Sequence, residues 1–320
     1  MLCCAVLCCA VRFFTLRGDL REEGVRVRAL SRKTKRAIVP YLLALPAAAL
    51  ILVFLYGVVN GVLQGFGIMP FLGRTEFTLE YYLEALTRSD LTSSILYSLY
   101  LAGVSSIIAV IGGVAIAACM TRARTGRFLR LVNVQIPIMT MHSLVALAVM
   151  FLFTGSGLVP RVLAAFGLVS DPSSFTSVVG SVSGWGIILV YAWKEIPFIA
   201  FSTVAIMASI SDSLGEAAAM LGASPLRAFF GVTLPLCKGA IAKAFMVVFA
   251  FAFGSYEVPF LLGPTLPQAM PVLAYVEFQD PDIVNRCYAM ALNGIMTLLC
   301  SLIALAYFAV LNRERKGGTR

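Results

Sequence analysis

The chain has 320 residues, of which 60% are hydrophobic and 13% charged, and its formal net charge is +9. A soluble domain carries about 25% charged residues. This shortage of charge excludes an ordinary soluble protein and indicates that much of the surface faces lipid. The net positive charge would also suit a protein that binds nucleic acid, but its distribution along the chain favours another interpretation.

Six apolar segments are each long enough to cross a bilayer, which takes about 20 helical residues. They lie near 38–63, 93–120, 132–154, 184–209, 240–262 and 288–312. Because lipid offers no partner to backbone N–H and C=O groups, each segment must cross as a helix. The sequence therefore predicts an all-α membrane protein with a six-helix bundle at 38–312, a basic extension at 1–37 and a short tail at 313–320.

The Lys and Arg residues are concentrated on one side of these spans, which holds 20 of the 25. The extension at 1–37 alone contains nine of them. Positively charged loops stay in the cytoplasm. Both termini and the connection at 211–235 are therefore predicted to be cytoplasmic, in a multi-pass protein of the cell membrane. The basic extension is then a topology signal, and no nucleic-acid partner is expected.

Residues 1–10 form an apolar start with two pairs of adjacent cysteines, Cys3–Cys4 and Cys8–Cys9. Adjacent cysteines do not have the spacing of a zinc site. No positive charge precedes the apolar residues, as it would in a secretory signal. We expect an unstructured or interfacial extension, and association with the membrane through the apolar side chains is the alternative.

The first predicted outer loop contains a short amphipathic helix. Thr78 is a suitable N-cap. The residues that recur at helical spacing on one face are Leu79, Tyr82, Leu83 and Leu86. We expect this helix to rest on the membrane surface, and we prefer that role to a binding site.

The connection at 211–235 predicts two short helices. Ser213 and Glu216 have the spacing of a capping box, and Gly222 suits the left-handed residue that ends a helix. Ser224–Pro225 then suits the N-cap and first position of a second helix. Pro235 is expected to end that helix just before the fifth span.

Apolar side chains make this connection a poor free surface. They are Met220, Leu226, Phe229 and Phe230, and the alanines at 217–219 would let another backbone approach closely. Exposed apolar patches mark contact sites for other molecules. Glu216 has two interpretations, as a helix cap alone or as part of that contact.

The order of residues here resembles the EAA loop of permease subunits of binding-protein-dependent ABC importers. Glu-Ala-Ala is followed after three residues by Gly, and later by Val232, one residue and Leu-Pro. The residues on motif positions are Glu216, Ala217, Ala218, Gly222 and Pro235. The resemblance extends over 38–312 and implies the type I, MetI-like permease fold.

This resemblance implies a transport subunit that couples to an ATPase through the EAA loop and moves solute by alternating access. The implied partners are two ABC ATPase subunits, a second permease subunit (a copy or a homologue) and an extracytoplasmic solute-binding protein. The stretches Phe77–Tyr82 and Phe253–Gly263 resemble the sub-group that handles polyamines, ferric iron, thiamine or aminoalkylphosphonates. A small polar or cationic solute such as a polyamine is therefore expected.

The residues also argue against catalysis by this chain. It has no Gly-x-x-x-x-Gly-Lys-Ser/Thr phosphate loop and a single histidine, so neither ATP hydrolysis nor paired-histidine metal chemistry is expected, and no cofactor. An ion-coupled secondary transporter is the alternative function, although it would leave the docking-shaped loop unexplained. A membrane-embedded enzyme or assembly factor would need a cluster of catalytic residues near one membrane face.

Ionisable residues inside the predicted spans are the candidates for a solute path. Lys194 and Glu195 lie in the fourth span and Glu257 in the fifth. A charge at mid-bilayer costs roughly 2.5–3.5 kcal/mol, so each should face protein or a water-filled cavity. Neighbouring helical residues point about 100° apart, so we expect separate partners for Lys194 and Glu195, and Pro197 to loosen the helix between them.

Two roles are open for these three residues. They line or gate the solute path, or they tie helices and subunits together. His142, in the third span, is expected to be a hydrogen-bonded core residue.

Overall fold

The computed structural model describes residues 32–70, 73–122, 134–167, 177–210, 214, 218 and 220–317. The cysteine-rich start, the capping-box residues Ser213 and Glu216, and Ala217 lie outside these ranges. In the described residues the secondary structure is helical, apart from an isolated antiparallel bridge between Met69 and Arg74. The prediction of an all-α protein is confirmed.

The helices are named here in chain order. They are α1 Arg32–Gly65, α2 Glu80–Thr87, α3 Ser89–Arg122, α4 Ile136–Met139, α5 His142–Phe153, α6 Leu158–Ala165, α7 Trp185–Ile210, α8 Pro225–Ala228, α9 Leu234–Gly254, α10 Glu257–Leu262, α11 Met270–Phe278 and α12 Asn285–Gly317. Within the described residues, the chain divides after Val59 into two compact units, and α1 runs across this division. Within the first unit, the α1 side chains from 44 to 59 are exposed.

Six helical stretches of the described chain are long and apolar enough to span a membrane, which confirms the predicted number. They are Ala44–Gly65, Ser89–Thr121, His142–Ala165, Trp185–Ile210, Pro225–Gly254 and Asn285–Ala309. The fourth and sixth lie close to their predicted bounds. The third begins later than predicted and the fifth earlier, and each difference has a local cause.

The third span is interrupted, which its continuous apolar pattern did not predict. After α4, Thr140 and Met141 adopt extended backbone with ψ of 148° and 145° before α5 begins. At this point the side chain of Lys194, from α7, donates hydrogen bonds to the carbonyl oxygens of Ile138 and Thr140. In a continuous helix these two carbonyl oxygens would accept hydrogen bonds from the backbone of the same helix. Here they accept hydrogen bonds from the Lys194 side chain of α7.

Pro235 does not end a helix, and that prediction is wrong. α8 passes through a π-helical turn at Phe229–Thr233 directly into α9, so Pro225–Gly254 is one continuous span. Proline lacks the N–H that an interior helical position donates. The wider turn, closed by the Leu234 N–H on the Phe229 carbonyl, shifts the hydrogen-bond register just before Pro235 and accommodates it.

The predicted amphipathic helix is present as α2. The Glu80 N–H donates to Thr78 Oγ1 at 3.1 Å, so the threonine side chain caps its start as expected. Tyr81 is buried, whereas Leu83 and Leu86 are exposed. Their face is available to lipid, and a position on the membrane surface stays a prediction.

The second unit is held together where α3 packs along α7. Gly113 of α3 faces Ile199 of α7 so closely that an added Cβ would lie 2.7 Å from the Ile199 Cβ. Small residues let helix backbones approach in this way. Because Ile199 lies about one turn from Glu195, this contact also fixes the part of α7 that carries the candidate path residues.

Replacing Gly113 by alanine is expected to destabilise the protein by about 2 kcal/mol, since overpacking a tight contact costs about 1–3 kcal/mol. The measurement is the thermal unfolding midpoint of the purified transporter. Gly103→Ala on the same helix is the matched control, because a Cβ there meets no atom within 4 Å. Equal midpoints for the two variants would contradict the close α3–α7 contact.

Candidate functional site

The predicted coupling residues within the described chain are Ala218, Gly222 and Pro235. Gly222 has a φ of +80°, the left-handed conformation predicted for it. The Ala223 N–H donates to the Ala218 carbonyl at 3.0 Å, which is the hydrogen bond that closes a helix around such a glycine. The predicted end of the first short helix is confirmed.

The second helix of this segment begins where the sequence predicted. The Ser224 Oγ accepts a hydrogen bond from the Arg227 N–H at 3.4 Å, and Pro225 occupies the first helical position. The backbone therefore turns at Gly222 and is helical again from Pro225 to Gly254.

Between 220 and 235 an apolar surface is exposed, which we call the loop surface. It consists of Met220, Leu221, Leu226 and Phe230, with exposed fractions of 91%, 89%, 65% and 62%. Phe229 is instead half-buried and packs against a cluster that contains Ala117, Met207 and Cys237. Its ring meets that of Phe230 edge-on at 5.2 Å. The loop surface is thus joined through Phe229 to side chains of the second, fourth and fifth spans.

Lys194 is buried, with 7% of its surface exposed. Its Nζ donates to the backbone carbonyl of Ile138 at 3.4 Å and to that of Thr140. The ammonium group therefore donates to carbonyl groups at the point where the third span is interrupted. This geometry favours the helix-tying role for Lys194 over the path-lining role.

Glu195 has a different environment. It is only 4% exposed, and neither carboxylate oxygen has a hydrogen-bond partner in the described part of the protein. It lines a cavity of about 200 Å³ that Lys194 also reaches. Lys194 thus has partners that it does not share with Glu195, although both residues reach the same cavity. A separate partner for Glu195 stays a prediction, since the described residues provide none. α7 also runs through Pro197 without a break.

Glu257 lies beyond the end of the fifth span and not inside it. It is exposed in the first turn of α10, and its Oε2 accepts a hydrogen bond from the Ser143 Oγ at 2.7 Å. Both residues line a second cavity, of about 610 Å³. The prediction missed the non-helical Ser255–Tyr256 that separates α9 from α10.

His142 lines both cavities, and its ring lies 4.7 Å from that of Phe251. It is half-buried at the start of α5, so it lies at a cavity boundary and not in the closed core that was expected.

Ser143 is a residue of the site that was not predicted. It could be found only from the folded chain, since its partner Glu257 is remote in sequence. Tyr191 lies one turn before Glu195 on the same helix face and is fully buried, but it lines neither cavity.

The groups around the two cavities suit binding more than covalent chemistry. Carboxylates, a hydroxyl and an imidazole stand beside aromatic rings, as in sites for small organic molecules. Among the described residues, no three His, Cys, Asp or Glu side chains are grouped to hold a metal ion.

The family described as the inner membrane component of binding-protein-dependent transport systems matches residues 110–317. The chain belongs to this family. The match begins inside the second span and runs to the end of α12, so it contains both cavities and the segment at 211–235.

Named relatives agree with this assignment. The diacetylchitobiose uptake system permease protein DasB of Streptomyces coelicolor is 31% identical over 309 residues, which cover 89% of each chain. The putative ferric transport system permease protein FbpB 1 of Haemophilus influenzae is 28% identical over 83% of this chain, which spans 41% of that longer relative.

The fold is also that of a known transporter chain. A chain in the crystal structure of a bacterial alginate ABC transporter, in complex with an alginate pentasaccharide-bound periplasmic protein, has a TM-score of 0.70. The two chains are 20% identical, and the likeness covers 86% of this chain and 94% of the other. The MetI-like permease fold is confirmed.

The protein is therefore a permease subunit of an ABC importer, a multi-pass protein of the cell membrane and not an enzyme. Membership in the family implies a binding protein and ATPase subunits as partners. The alternative of an ion-coupled secondary transporter is set aside. The orientation of the termini and the role of each site residue stay predictions.

Proposed function

We propose that this permease subunit forms one side of the solute path, with a second permease subunit, identical or homologous, forming the other. An ATPase subunit docks on the segment at 211–235 of each permease, at the cytoplasmic face. The loop surface carries this proposal, because its apolar side chains are exposed on a backbone fixed by Gly222 and Ser224. Such a patch is a contact site for another protein. Glu216 and Ala217 belong to the same proposed contact.

One continuous helix links the proposed ATPase contact to the cavities. The span Pro225–Gly254 has 30 residues and is therefore about 45 Å long at a rise of about 1.5 Å per residue. Its far end, Gly254, lines the larger cavity together with Glu257. Closure of the ATPase subunits would displace the near end of this helix and so reshape the cavity, which is the structural basis we propose for alternating access.

The two cavities are the proposed path through this subunit. Glu257 and Ser143 face the larger cavity, Glu195 faces the smaller one, and His142 lies between them. Lys194 contributes by holding the interrupted third span in place.

The solute we propose is a small polar organic cation, with a polyamine as the first candidate. Glu195 and Glu257 place a carboxylate at each cavity, and carboxylates form strong charge-assisted hydrogen bonds with ammonium groups. None of the relatives named above carries a polyamine in its name.

A carbohydrate is the second candidate. DasB is named for diacetylchitobiose, and the similar solved transporter is an alginate transporter. The ring of Tyr256 lines the larger cavity and stacks on that of Tyr275, with centroids 5.1 Å apart, so that an aromatic surface is available to a sugar face.

The proposed function is tested by reconstituting the permeases, the ATPase subunits and the binding protein in proteoliposomes. We expect uptake of labelled putrescine or spermidine that requires ATP inside and binding protein outside. A labelled disaccharide in the same vesicles tests the second candidate. Uptake driven by an ion gradient in vesicles without ATPase subunits would overturn the proposal.

Glu257→Gln is expected to lower the uptake of putrescine about tenfold, because glutamine removes the charge but still accepts the hydrogen bond from Ser143. Tenfold corresponds to about 1.4 kcal/mol, which is close to the lower end of the range of about 1.5–3 kcal/mol for a hydrogen bond to a charged group. The measurement is the initial rate of ATP-dependent uptake, with the amount of assembled transporter checked in parallel. Uptake of putrescine at the unmodified rate would contradict a cationic solute at this position.

A further inference from the structure

The smaller cavity contains hydrogen-bond acceptors that the described protein leaves unused. Both carboxylate oxygens of Glu195, which lines this cavity, are buried without a hydrogen-bond partner in the described residues. Tyr191, one turn earlier on the same face of α7, is fully buried and does not line this cavity.

Two unused carboxylate oxygens facing one cavity are unusual, because buried polar groups in folded proteins are almost always paired. A buried, unpaired carboxylate is costly in a membrane span. The nearest cation does not solve the problem, since Lys194 donates to the carbonyls of Ile138 and Thr140. In the described residues the one ion pair joins Arg88 to Glu277, away from this helix.

The walls of the cavity limit what can fill it. Its volume of about 200 Å³ is well above the roughly 10–15 Å³ that a cavity needs to hold a single water. Ile138, Val247 and Val248 provide apolar walls, and Phe198 and Phe251 provide aromatic rings. Glu195 is the one carboxylate among the residues that line the cavity. Calcium and magnesium ions prefer several oxygen ligands, so this lining does not suit them. An ammonium group on a hydrocarbon body satisfies the oxygens, the rings and the apolar walls together.

We infer that this cavity is a binding subsite for the primary ammonium group of a small organic cation, with Glu195 as its ion partner. The inference rests on the proposed function, and it assigns a positively charged amine to the solute or to a ligand that acts on the transporter. The apolar walls hold the hydrocarbon part, while Lys194 is kept out of the contact by its own carbonyl partners.

The test is binding to the assembled transporter, with its partner permease and ATPase subunits but without binding protein. Putrescine and its uncharged diol analogue, butanediol, are titrated against intrinsic tyrosine and tryptophan fluorescence in nanodiscs. Putrescine is expected to bind at least tenfold more tightly than butanediol. Glu195→Gln should weaken putrescine binding about tenfold.

Glu277→Gln is the matched control, because it makes the same chemical change at a carboxylate paired with Arg88. It should alter putrescine affinity less than twofold. Equal binding of putrescine and butanediol, or unchanged putrescine binding by Glu195→Gln, would overturn the subsite. So would loss of the second permease from Glu195→Gln, since the carboxylate would then be paired with that subunit.

Failure of the subsite can be told apart from failure of the proposed function. The same preparation is assayed for ATP hydrolysis stimulated by the binding protein. If stimulation is intact and putrescine does not bind, the ammonium subsite is wrong and the importer assignment stands. If stimulation is absent from the complete wild-type assembly, the proposed function itself is contradicted.

Discussion

Replacing Gly222 by valine is expected to lower binding-protein-stimulated ATP hydrolysis of the assembled transporter by tenfold or more. Gly222 has a φ of +80° and is part of the hydrogen-bonded turn that ends the first helix of the segment. The left-handed conformation costs an ordinary residue about 1–2 kcal/mol, and it is a true outlier for a β-branched one. The turn would therefore open and carry Met220 and Leu221 away from the position that docks the ATPase.

The expected loss comes from backbone conformation and not from a clash, because no atom lies within 4 Å of a Cβ added at Gly222. Gly239→Val is the matched control, since that glycine also has open space, does not have positive φ and lies outside the proposed docking segment at 211–235. Gly222→Asn should retain most of the stimulation, because asparagine tolerates the left-handed region. Full stimulation in Gly222→Val, or equal losses in both valine variants, would contradict this account of the loop.

Local chemistry made much of this segment predictable. Gly222 and Ser224–Pro225 carry signals that depend on their own backbone, and the structure places a left-handed turn and a helix start at these positions. The six spans were predictable for a similar reason, since hydrocarbon thickness sets the length of apolar helix that a sequence must provide.

The errors arose where a distant residue determines the backbone. The third span is apolar throughout, and its interruption depends on the Lys194 ammonium arriving from α7 to take two carbonyls. Pro235 is a strong helix breaker in isolation, but a π-helical turn placed just before it removes the conflict. Neither arrangement has a signature within a short window of sequence.

The candidate path residues show the same contrast between what the local sequence predicts and what depends on distant residues. Sequence alone identified Lys194, Glu195 and Glu257 as ionisable residues that needed an explanation in a membrane protein. It could not separate their roles, because these depend on what each side chain meets in the folded chain. Lys194 meets backbone carbonyls, Glu257 meets Ser143 and Glu195 meets no described partner. The helix-tying interpretation therefore fits Lys194, and the path interpretation is proposed for the two carboxylates.

This division of roles predicts opposite defects. Glu195→Gln should leave the transporter assembled and impair ligand binding, whereas Lys194→Met should impair assembly. Methionine removes the donor for the carbonyls of Ile138 and Thr140, and each hydrogen bond to a charged group contributes about 1.5–3 kcal/mol. A net loss of about 3 kcal/mol in the stability of the folded bundle is expected, and this would lower the thermal unfolding midpoint and the yield of complete transporter.

The same substitution is expected to favour insertion into the membrane, so the inserted amount must be measured separately from assembly. Removing a lysine from a span makes insertion more favourable by roughly 2.5–3.5 kcal/mol, so the amount of Lys194→Met in the membrane should not fall even though assembly does. Lys243→Met is the matched control, because Lys243 lies in the fifth span and is exposed. It should match the unmodified protein in both measurements. If Lys194→Met assembled with an unchanged unfolding midpoint but lost transport, Lys194 would belong to the solute path. The fold would then not depend on the hydrogen bonds from Lys194 to the carbonyls of Ile138 and Thr140.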